Sequence, residues 1–583
     1  MEEYRQCRNL ADEAAQQIDV ERMWEDLERF SKLERYTGSP AGEAAVDLIC
    51  ERMKEYGVDC TREYYDAFRS LPVDGSLKVL TAKGETLNFS LTPYVYSASC
   101  SDLEAPVVFD EAGRQKGGAL QLFDTGKSVS TQKNETQRFA NFEGKIVFTL
   151  DSSYDFAMKA KRAGAVGIIT AYALDVKHHG SLGGVWGNPD VDDLASRYPW
   201  LPYGELKKSD SDKLVALMDA DEVAGVVMNI KQDNSIVKAS IPVATVHGQS
   251  EKFVLISGHY DSWYEGMTDN AVANIAMIEM ARVFKQYEGK LRRSVKFAWW
   301  CGHSDARYAG STWYSDHHFM ELKENCVAHL NMDICGFADL DHVTFLSSLF
   351  ERGDFNQELL REYNKAEPAP SEAMRRFADQ TFWATRVPFS VMPKFGEYHF
   401  GSMDIPFWHT PEDTFDKCNK PSTLRDTACM TKLACYYLES AQLPADFTGF
   451  LGFMESTLQN IEKQVADEFD LSPVWPCLEK AKKTARKLEE LMPGKDSDDI
   501  VVQAGGELVR LVYSYSSCYA HDAALPQPAF PRLSLAMGKT RENTTPDYYL
   551  ALETTFQRQV NRLVGQITMV NKMMEDQIDR WSR

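Results

Sequence analysis

The sequence lacks long apolar runs, paired cysteine motifs and an excess of basic residues. A membrane-spanning helix needs about 18 or more nearly uninterrupted apolar residues, whereas the apolar stretches here, such as 253–256, have the length of a strand. The 12 cysteines show no CxxC spacing, which argues against a disulfide framework or a thiolate zinc site. With 64 Lys and Arg against 86 Asp and Glu, the formal charge of −22 argues against a nucleic-acid-binding protein.

The composition is that of a large globular protein. The chain has 583 residues, of which 44% are hydrophobic and 26% charged, and this length suggests about three or four domains. The amino-terminal residues are acidic and polar, without the apolar segment of a secretory signal. We therefore expect a cytoplasmic protein with reduced thiols that contacts neither a membrane nor nucleic acid.

The residue pattern changes several times along the chain. Helical periodicity from 19 to about 54 predicts two helices. Glycine-rich loops and short strands follow from about 105, with a long surface loop predicted at 175–204. From 242 apolar strands alternate with amphipathic helices, which is typical of a mostly parallel sheet covered on both faces. Four helical stretches follow from about 444.

Residues suited to metal binding follow the apolar strands. His259 and Asp261 close the first strand of this region, Asp305 lies just past the second, and Asp333 closes the third. In an open α/β sheet, ligands bind in the crevice beyond the carboxyl ends of the strands. These side chains are therefore expected to converge.

Two further residues complete this set. Asp269 follows a turn-rich segment and precedes a helix, and His409 lies in the segment 407–414. Asp269 alone has an ordinary explanation as a helix N-cap. Imidazole nitrogens and carboxylate oxygens bind zinc, however, and a bridging carboxylate can hold two ions about 3.5–4 Å apart. Because five such residues fall at element boundaries, together they favour a metal site.

These motifs resemble those of the co-catalytic zinc aminopeptidases, particularly the branch of glutamate carboxypeptidase and the transferrin receptor. The motifs that carry the resemblance are 258–263, 269–270, 331–333 and 409–414. The resemblance implies an α/β fold with a doubly wound mixed sheet, an inserted protease-associated (apical) α/β domain and a carboxyl-terminal helical domain. The implied boundaries are 1–104 and 241–443 for the catalytic domain, 105–240 for the apical insertion and 444–583 for a helical dimerisation domain.

The resemblance also implies two divalent metal ions, and the donor types favour zinc. The implied roles are His259 and Asp333 for one ion, Asp305 and His409 for the other, Asp269 for both, and Asp261 as the residue that orients His259.

The general base of the family is missing from this sequence. The family presents two adjacent glutamates, a base and a ligand, where this chain has Ser304 and Asp305. Aspartate can replace a glutamate ligand, but a serine hydroxyl cannot accept a proton near neutral pH as a carboxylate does. His303 is a candidate substitute because its unperturbed pKa is about 6.5. Glu397 and His399 are further candidates, and a reaction other than peptide hydrolysis would need no such base.

Four residues are candidates for contacts with the substrate. Asp379 lies in the segment 378–383, which is similar to the substrate-side loop of the family. Arg307 could bind a substrate carboxylate, or could instead form a surface or interdomain salt bridge. His178 and His179 could help to close the pocket, or could belong to a solvated loop.

The carboxyl-terminal helices predict a homodimer, although an intramolecular bundle is a second interpretation. The prediction depends on their many apolar residues: Phe450, Leu451, Phe453, Met454, Leu550, Leu552, Phe556, Val560 and Leu563.

The predicted function is a metal-dependent hydrolase that cleaves an amide or peptide-like bond in a small substrate through a dinuclear metal-bound water. The missing base leaves open an enzyme of the same fold with other chemistry, such as a lyase, hydratase or ring-opening enzyme. A third possibility is a non-catalytic, receptor-like binding protein. The five retained potential ligands argue against this third function, because a scaffold does not need clustered carboxylates.

Overall fold

The computed structural model of the chain describes residues 2–114, 137–338, 343–351, 355–364, 372–373, 385–395, 405–517, 519–525 and 527–583. The strands are β1 (Asp59–Thr81), β2 (Thr86–Ser90), β3 (Thr92–Pro93), β4 (Cys100–Ala105), β5 (Val107–Phe109), β6 (Ile146–Phe148), β7 (Gly167–Ala171), β8 (Tyr203–Leu206), β9 (Val223–Val246), β10 (Phe253–His259), β11 (Ser294–Trp300), β12 (Cys326–Asn331), β13 (Val343–Ser347), β14 (Glu372–Ala373) and β15 (Phe389–Phe395).

A mixed sheet forms the centre of the fold. Within the described residues it has ten strands, in the order β14-β13-β15-β12-β10-β11-β9-β1-β2, and β4 pairs with β9. Its centre is parallel, because β10 runs parallel to β11 and β12, and β12 runs parallel to β15. Every residue of β10 and β12 is buried, which explains why these strands are mostly apolar. This confirms the predicted α/β class.

Two long strands connect this sheet to a second, smaller α/β unit. β1 and β9 pair antiparallel along almost their full lengths, from Asp59 opposite Thr245 to Thr81 opposite Val223. The second sheet has the order β3-β8-β7-β6-β5. One apolar cluster lies within this unit, and another joins it to β1, β2 and β9 of the large sheet. This unit falls where the apical insertion is expected, and its assignment to the protease-associated family stays a prediction.

Several helices begin at residues whose side chains cap them. Asp19 accepts hydrogen bonds from the main-chain N–H groups at the start of its helix, and Ser39 and Asn419 do the same for theirs. The helices are Glu2–Gln16, Val20–Phe30, Pro40–Glu55, Glu111–Arg114, Tyr154–Arg162, Val191–Ser196, Lys208–Asp219, Val272–Lys285, Ala309–His317, Phe319–Asn325, Phe355–Tyr363, Lys420–Glu439, Phe447–Glu462, Val474–Leu491, Asp498–Ile500, Gly506–Tyr513, Pro531–Ser534 and Pro546–Ser582. In the described part of the chain, no helix is both long and apolar enough to cross a membrane.

The carboxyl-terminal helices bury most of their apolar residues within the chain itself. Helix Pro546–Ser582 packs along helix Val474–Leu491. Of the nine apolar residues on which the dimer prediction depends, seven are buried in this packing: Phe450, Leu451, Met454, Leu552, Phe556, Val560 and Leu563. Leu550 is exposed and Phe453 is partly buried. The intramolecular bundle therefore accounts for most of this pattern, and the homodimer stays a prediction.

Candidate metal centre

The carboxyl ends of the central strands position the predicted ligands. His259 is the last residue of β10, and Asp333 lies two residues beyond the end of β12 at Asn331. Asp269 lies in the turn Met267–Ala271 that precedes helix Val272–Lys285. Helix Val272–Lys285 packs against the helices Pro40–Glu55 and Lys420–Glu439 and is buried almost throughout. This packing holds the turn against the end of β10.

Four of the five predicted metal ligands come together at this edge. His259 Nε2 lies 3.0 Å from Asp269 Oδ1 and 3.4 Å from Asp333 Oδ1. His409 Nε2 lies 3.2 Å from the other oxygen of Asp269, Oδ2. Asp269 therefore stands between the two histidines and presents one carboxylate oxygen to each.

The donor set fits a divalent metal ion. His259 Nε2 and Asp333 Oδ1 are buried atoms that find no hydrogen-bond partner among the described residues, which is costly unless another group satisfies them. Ligand atoms of His259, His303 and Asp333 lie within 4.8 Å of one another. Imidazole nitrogen and carboxylate oxygen are donors that zinc accepts. A cation between these side chains would satisfy the buried atoms.

The electrostatics of these side chains agree with this interpretation. Burial opposes protonation of His259, yet Asp333 and Asp269 raise its pKa well above the usual value. Burial would also raise the pKa of Asp269, but His259 and His409 lower it well below the usual value. Burial lowers the pKa of His409, so its imidazole stays neutral and able to act as a ligand. The carboxylates therefore require positive charge nearby, which a proton or a metal ion can supply.

Asp261 orients His259 through its main chain. The Nδ1–H of His259 donates to the carbonyl oxygen of Asp261 at 2.9 Å, which leaves Nε2 free to face the site. The Asp261 carboxylate has a different task, because it accepts hydrogen bonds from the main-chain N–H groups of His303 at 3.1 Å and Ser304 at 2.9 Å. The expected orienting role thus belongs to the carbonyl, while the side chain holds the loop that follows β11.

His409 is held by the loop of the second α/β unit. Its Nδ1–H donates to the carbonyl oxygen of His179 at 3.0 Å, and the N–H of His179 donates to the carbonyl oxygen of His409 at 3.2 Å. These two bonds set the tautomer of His409 and direct its Nε2 towards Asp269.

Asp305, the fifth predicted ligand, is turned towards Thr37. The hydroxyl of Thr37 donates to Asp305 Oδ1, and its N–H donates to Oδ2 at 3.3 Å. Burial, followed by the nearby Asp261 carboxylate, raises the pKa of Asp305 to about 7. Among the ion pairs of the described residues, none joins Asp305 to His409. The arrangement thus differs from the expected one, in which these two residues share an ion.

His303 lies beside the metal ligands. Its ring stacks on that of His259 with centroids 3.7 Å apart and planes 11° apart. The edge of the same ring faces Tyr308 at 4.8 Å. Neighbouring Ser304 stands where the family has its general base and brings no carboxylate to the site.

His178 and His179 are buried rather than solvated. His178 Nδ1 lies 2.9 Å from Glu205 Oε2, and the Tyr94 hydroxyl donates to the other oxygen of Glu205 at 2.7 Å. The ring of His179 stacks on Trp263 at 4.2 Å. Burial, and then the neighbouring histidines, lower the pKa of His179 well below the usual value. The loop therefore packs closely beside His409 and is not solvated at these two residues.

Arg307 joins three parts of the chain. Its Nε donates to the carbonyl oxygen of Gly183 at 3.1 Å, and its Nη2 donates to that of Ala524 at 2.7 Å. Its guanidinium also lies over the ring of Tyr308. These contacts describe an interdomain clamp made of hydrogen bonds, in place of the salt bridge considered above. The other candidates, Asp379, Glu397 and His399, lie outside the described residues.

Two asparagines to which sequence reasoning gave no role bind the main chain beside the predicted ligands. Asn270 Nδ2 donates to the carbonyl oxygen of Met332 at 2.9 Å, and its Oδ1 accepts from the N–H of Ile334 at 3.2 Å. These bonds fix the chain on both sides of Asp333. Asn274 Nδ2 donates to the carbonyl oxygen of His259 at 2.7 Å. Asn270 lies in the motif 269–270, although its role was not predicted, and the sequence signal for Asn274 was its position four residues after Asn270.

Asp413 and Arg35 support the turn that carries Asp269. The Asp413 carboxylate accepts from the N–H of Thr268 at 3.0 Å and from that of Asp269 at 3.1 Å. The fully buried guanidinium of Arg35 donates to the carbonyl oxygens of Tyr260 at 2.7 Å and Gly266 at 3.0 Å. Asp413 lies in the motif at 409–414, whereas nothing in the local sequence around Arg35 indicates its partners.

Comparison with known proteins agrees with this geometry. Residues 242–434 match the sequence profile of peptidase family M28. Aminopeptidase NAALADL1 of Mus musculus is 23% identical over 412 residues, covering 57% of this chain and 55% of the relative. An aminopeptidase of Pseudomonas aeruginosa strain UCBPP-PA14 is 24% identical over 322 residues, covering 54% of this chain and 56% of the relative. The chain thus spans about half the length of these curated relatives.

Solved structures share the fold. The aminopeptidase from Aneurinibacillus sp. strain AM-1 superposes with a TM-score of 0.55 and 20% identity over 73% of this chain and 96% of that one. A zinc aminopeptidase from Bacillus subtilis superposes with a TM-score of 0.50 and 18% identity, covering 72% of this chain and 95% of that one. The matched segment contains His259, Asp269, Asp333 and His409. Residues 242–434 of this chain are therefore similar to peptidase family M28.

Proposed function

We propose that this protein is a zinc-dependent hydrolase that cleaves a peptide or amide bond. The observation that carries the proposal is the buried group of His259 Nε2, Asp269 Oδ1 and Asp333 Oδ1, in which the histidine nitrogen lies 3.0 and 3.4 Å from the two oxygens. Catalytic zinc sites commonly use three protein ligands and keep one position open. Two relatives of this chain are aminopeptidases and one solved structure of the same fold is a zinc aminopeptidase, which supports the same choice of metal and reaction.

Zinc bound by these residues would supply a Lewis acid that lowers the pKa of water and polarises a carbonyl group. The chain's own residues orient the site and move protons. The carbonyl of Asp261 leaves His259 Nε2 facing Asp269 and Asp333, where it would hold the ion, and the carboxylate of Asp261 holds the main chain of His303 and Ser304. His303, stacked on His259, accepts the proton that attack by water releases. Ser304 has no part in this proton transfer.

The substrate is a small molecule or a short peptide. The loop containing His178 and His179 packs closely on His409, and the rings of Trp263 and Trp408 lie beside the same histidines.

The absent carboxylate base favours a second candidate function, in which the same zinc site serves a lyase, hydratase or ring-opening reaction. Ser304→Glu separates the two, because it restores a carboxylate where the family has its base. A gain of peptide hydrolysis together with loss of the native reaction would favour the second candidate. An increase in both peptide hydrolysis and the native reaction would favour the hydrolase.

A substrate screen tests the proposed hydrolase directly. Zinc-loaded full chain is incubated with dipeptides, N-acyl amino acids and carbamoyl amino acids, and products are identified by mass. The Asp333→Asn variant should lose activity, whereas His317→Gln, at an exposed residue of helix Ala309–His317, should retain it. Hydrolysis by Asp333→Asn at the wild-type rate, or no product from any amide, would contradict the proposal.

A further inference from the structure

We infer that this chain builds one complete zinc site and leaves the second site incomplete, because Thr37 binds the carboxylate that would complete it. The inference rests on the proposed zinc-dependent function and specifies how many ions the protein holds. It departs from the two ions that resemblance to the co-catalytic family implies.

His259, Asp269 and Asp333 are the protein donors of the first site. His259 Nε2 lies 3.0 Å from Asp269 Oδ1 and 3.4 Å from Asp333 Oδ1. Donors bound to one tetrahedral zinc at about 2.0–2.2 Å are separated by roughly 3.3 Å, so both distances from the histidine nitrogen fit a shared ion. These side chains are also nearly inaccessible to solvent, with exposures of 1%, 6% and 3% for His259, Asp269 and Asp333.

Within the described residues, the second site has two protein donors. They are His409 Nε2 and Asp269 Oδ2, which lie 3.2 Å apart. Asp305 is the residue expected to add the third, but both of its carboxylate oxygens accept hydrogen bonds from Thr37. The described part of the chain thus offers an ion at this position no third ligand, and the ion would share the Asp269 carboxylate with the first ion.

Asp305 is held in this orientation from several sides. Thr37 and Asp305 are buried, at 0% and 1% exposure. The carbonyl oxygen of Asp305 accepts from the N–H of Ser70 at 2.7 Å, and the carbonyl oxygen of Thr37 accepts from Arg69 Nη1 at 3.1 Å. Turning Asp305 towards His409 would leave the buried hydroxyl and N–H of Thr37 without their acceptor, which costs free energy. Aspartate is also one methylene shorter than the glutamate of the family.

This arrangement gives Asp305 a new role. It joins the segment before helix Pro40–Glu55 to β1, through Thr37 and Ser70. Asp305 is then a positioning residue of the fold, and the loop after β11 brings His303 and Ser304 to the site without Asp305 acting as a ligand.

The test is a measurement of zinc stoichiometry on the metal-free full chain. Titration with zinc in a chelator buffer, with bound metal quantified by mass spectrometry, should give one tight equivalent and a second at least ~100-fold weaker. Asp305→Asn should bind the first zinc ion with an affinity within about threefold of the wild-type value. In Asp333→Asn the affinity for this ion should fall by at least ~100-fold.

Two equivalents of similar affinity in the wild-type protein, reduced to one by Asp305→Asn, would overturn the inference and leave the proposed function intact. Uptake of no zinc by the folded wild-type chain would overturn both. Because the wild-type titration decides the number of ions by itself, a variant that fails to fold does not remove the test.

Discussion

His179 and His409 are joined by two hydrogen bonds that connect the second α/β unit to the metal centre. The side chain of His409 donates to the carbonyl oxygen of His179, and the N–H of His179 donates to the carbonyl oxygen of His409. The loop that carries His179 is anchored in turn by the His178–Glu205 contact and by Tyr94. A substitution in this loop should therefore alter the position of His409 without replacing any predicted metal ligand.

Gly180→Ala should disturb this loop. A Cβ at Gly180 would lie 1.3 Å from Cε1 of Tyr94, so the ring would have to move away from Glu205. We expect a loss of about 1–3 kcal/mol in stability and reduced activity. Gly225→Ala is the matched control, because its added Cβ meets nothing within 4 Å. Thermal unfolding and steady-state rates measure both, and a Gly180→Ala protein with wild-type stability and rate would argue against the anchoring role.

Asp261→Asn should separate metal binding from turnover. The main-chain carbonyl that orients His259 is retained. One of the two carboxylate oxygens that accept hydrogen bonds from the N–H groups of His303 and Ser304 is replaced by an NH2 group, which cannot accept. We expect zinc content to stay near the wild-type value and turnover to fall by about 10–100-fold. Metal analysis and kinetics on the same sample distinguish the outcomes. Equal losses of zinc and activity would assign the carboxylate to metal binding instead.

Arg35→Lys should destabilise the protein strongly. Arg35 is fully buried and donates to the carbonyl oxygens of Tyr260 and Gly266, which flank the ligand turns. Lysine cannot reproduce this planar set of donors, and we expect a loss of about 2–4 kcal/mol. Arg29→Lys, at a side chain 46% exposed, should change stability by less than about 0.5 kcal/mol. Equal melting temperatures for the two variants would contradict this account of Arg35.

A pH dependence of stability follows from His318. Hydrogen bonds with Glu321 and Glu63 raise the pKa of His318 to about 9, above the value of about 6.5 expected in the unfolded chain. The stabilisation is therefore complete below about pH 6.5 and is lost as the pH rises through 9. After screening by solvent we expect an effect of about 1 kcal/mol. Melting temperatures from pH 6 to 10 should fall more in the wild type than in His318→Gln, and parallel curves would refute the assignment.

Much of the fold and of the site could be predicted because both depend on local pattern. Buried strands such as β10 and β12 are mostly apolar, and His259 and Asp333 lie at or just beyond their carboxyl ends, at the edge where the ends of parallel strands meet. The orientation of Asp305 could not be predicted, since its partner Thr37 lies 268 positions away. The contacts by which Arg35 supports the turn that carries Asp269 also join residues that are far apart in the sequence. Apolar residues in the last helices indicated burial without indicating whether their partner was the same chain.

The most direct test of the account is amide hydrolysis before and after removal of zinc. The full chain is assayed with an accepted substrate, treated with a chelator, assayed again, and then reconstituted with one equivalent of zinc. We predict that activity falls by at least ~1,000-fold on removal and returns with that equivalent. Hydrolysis that continues unchanged in protein shown to be free of metal would contradict the central claim that His259, Asp269 and Asp333 act through a bound zinc ion.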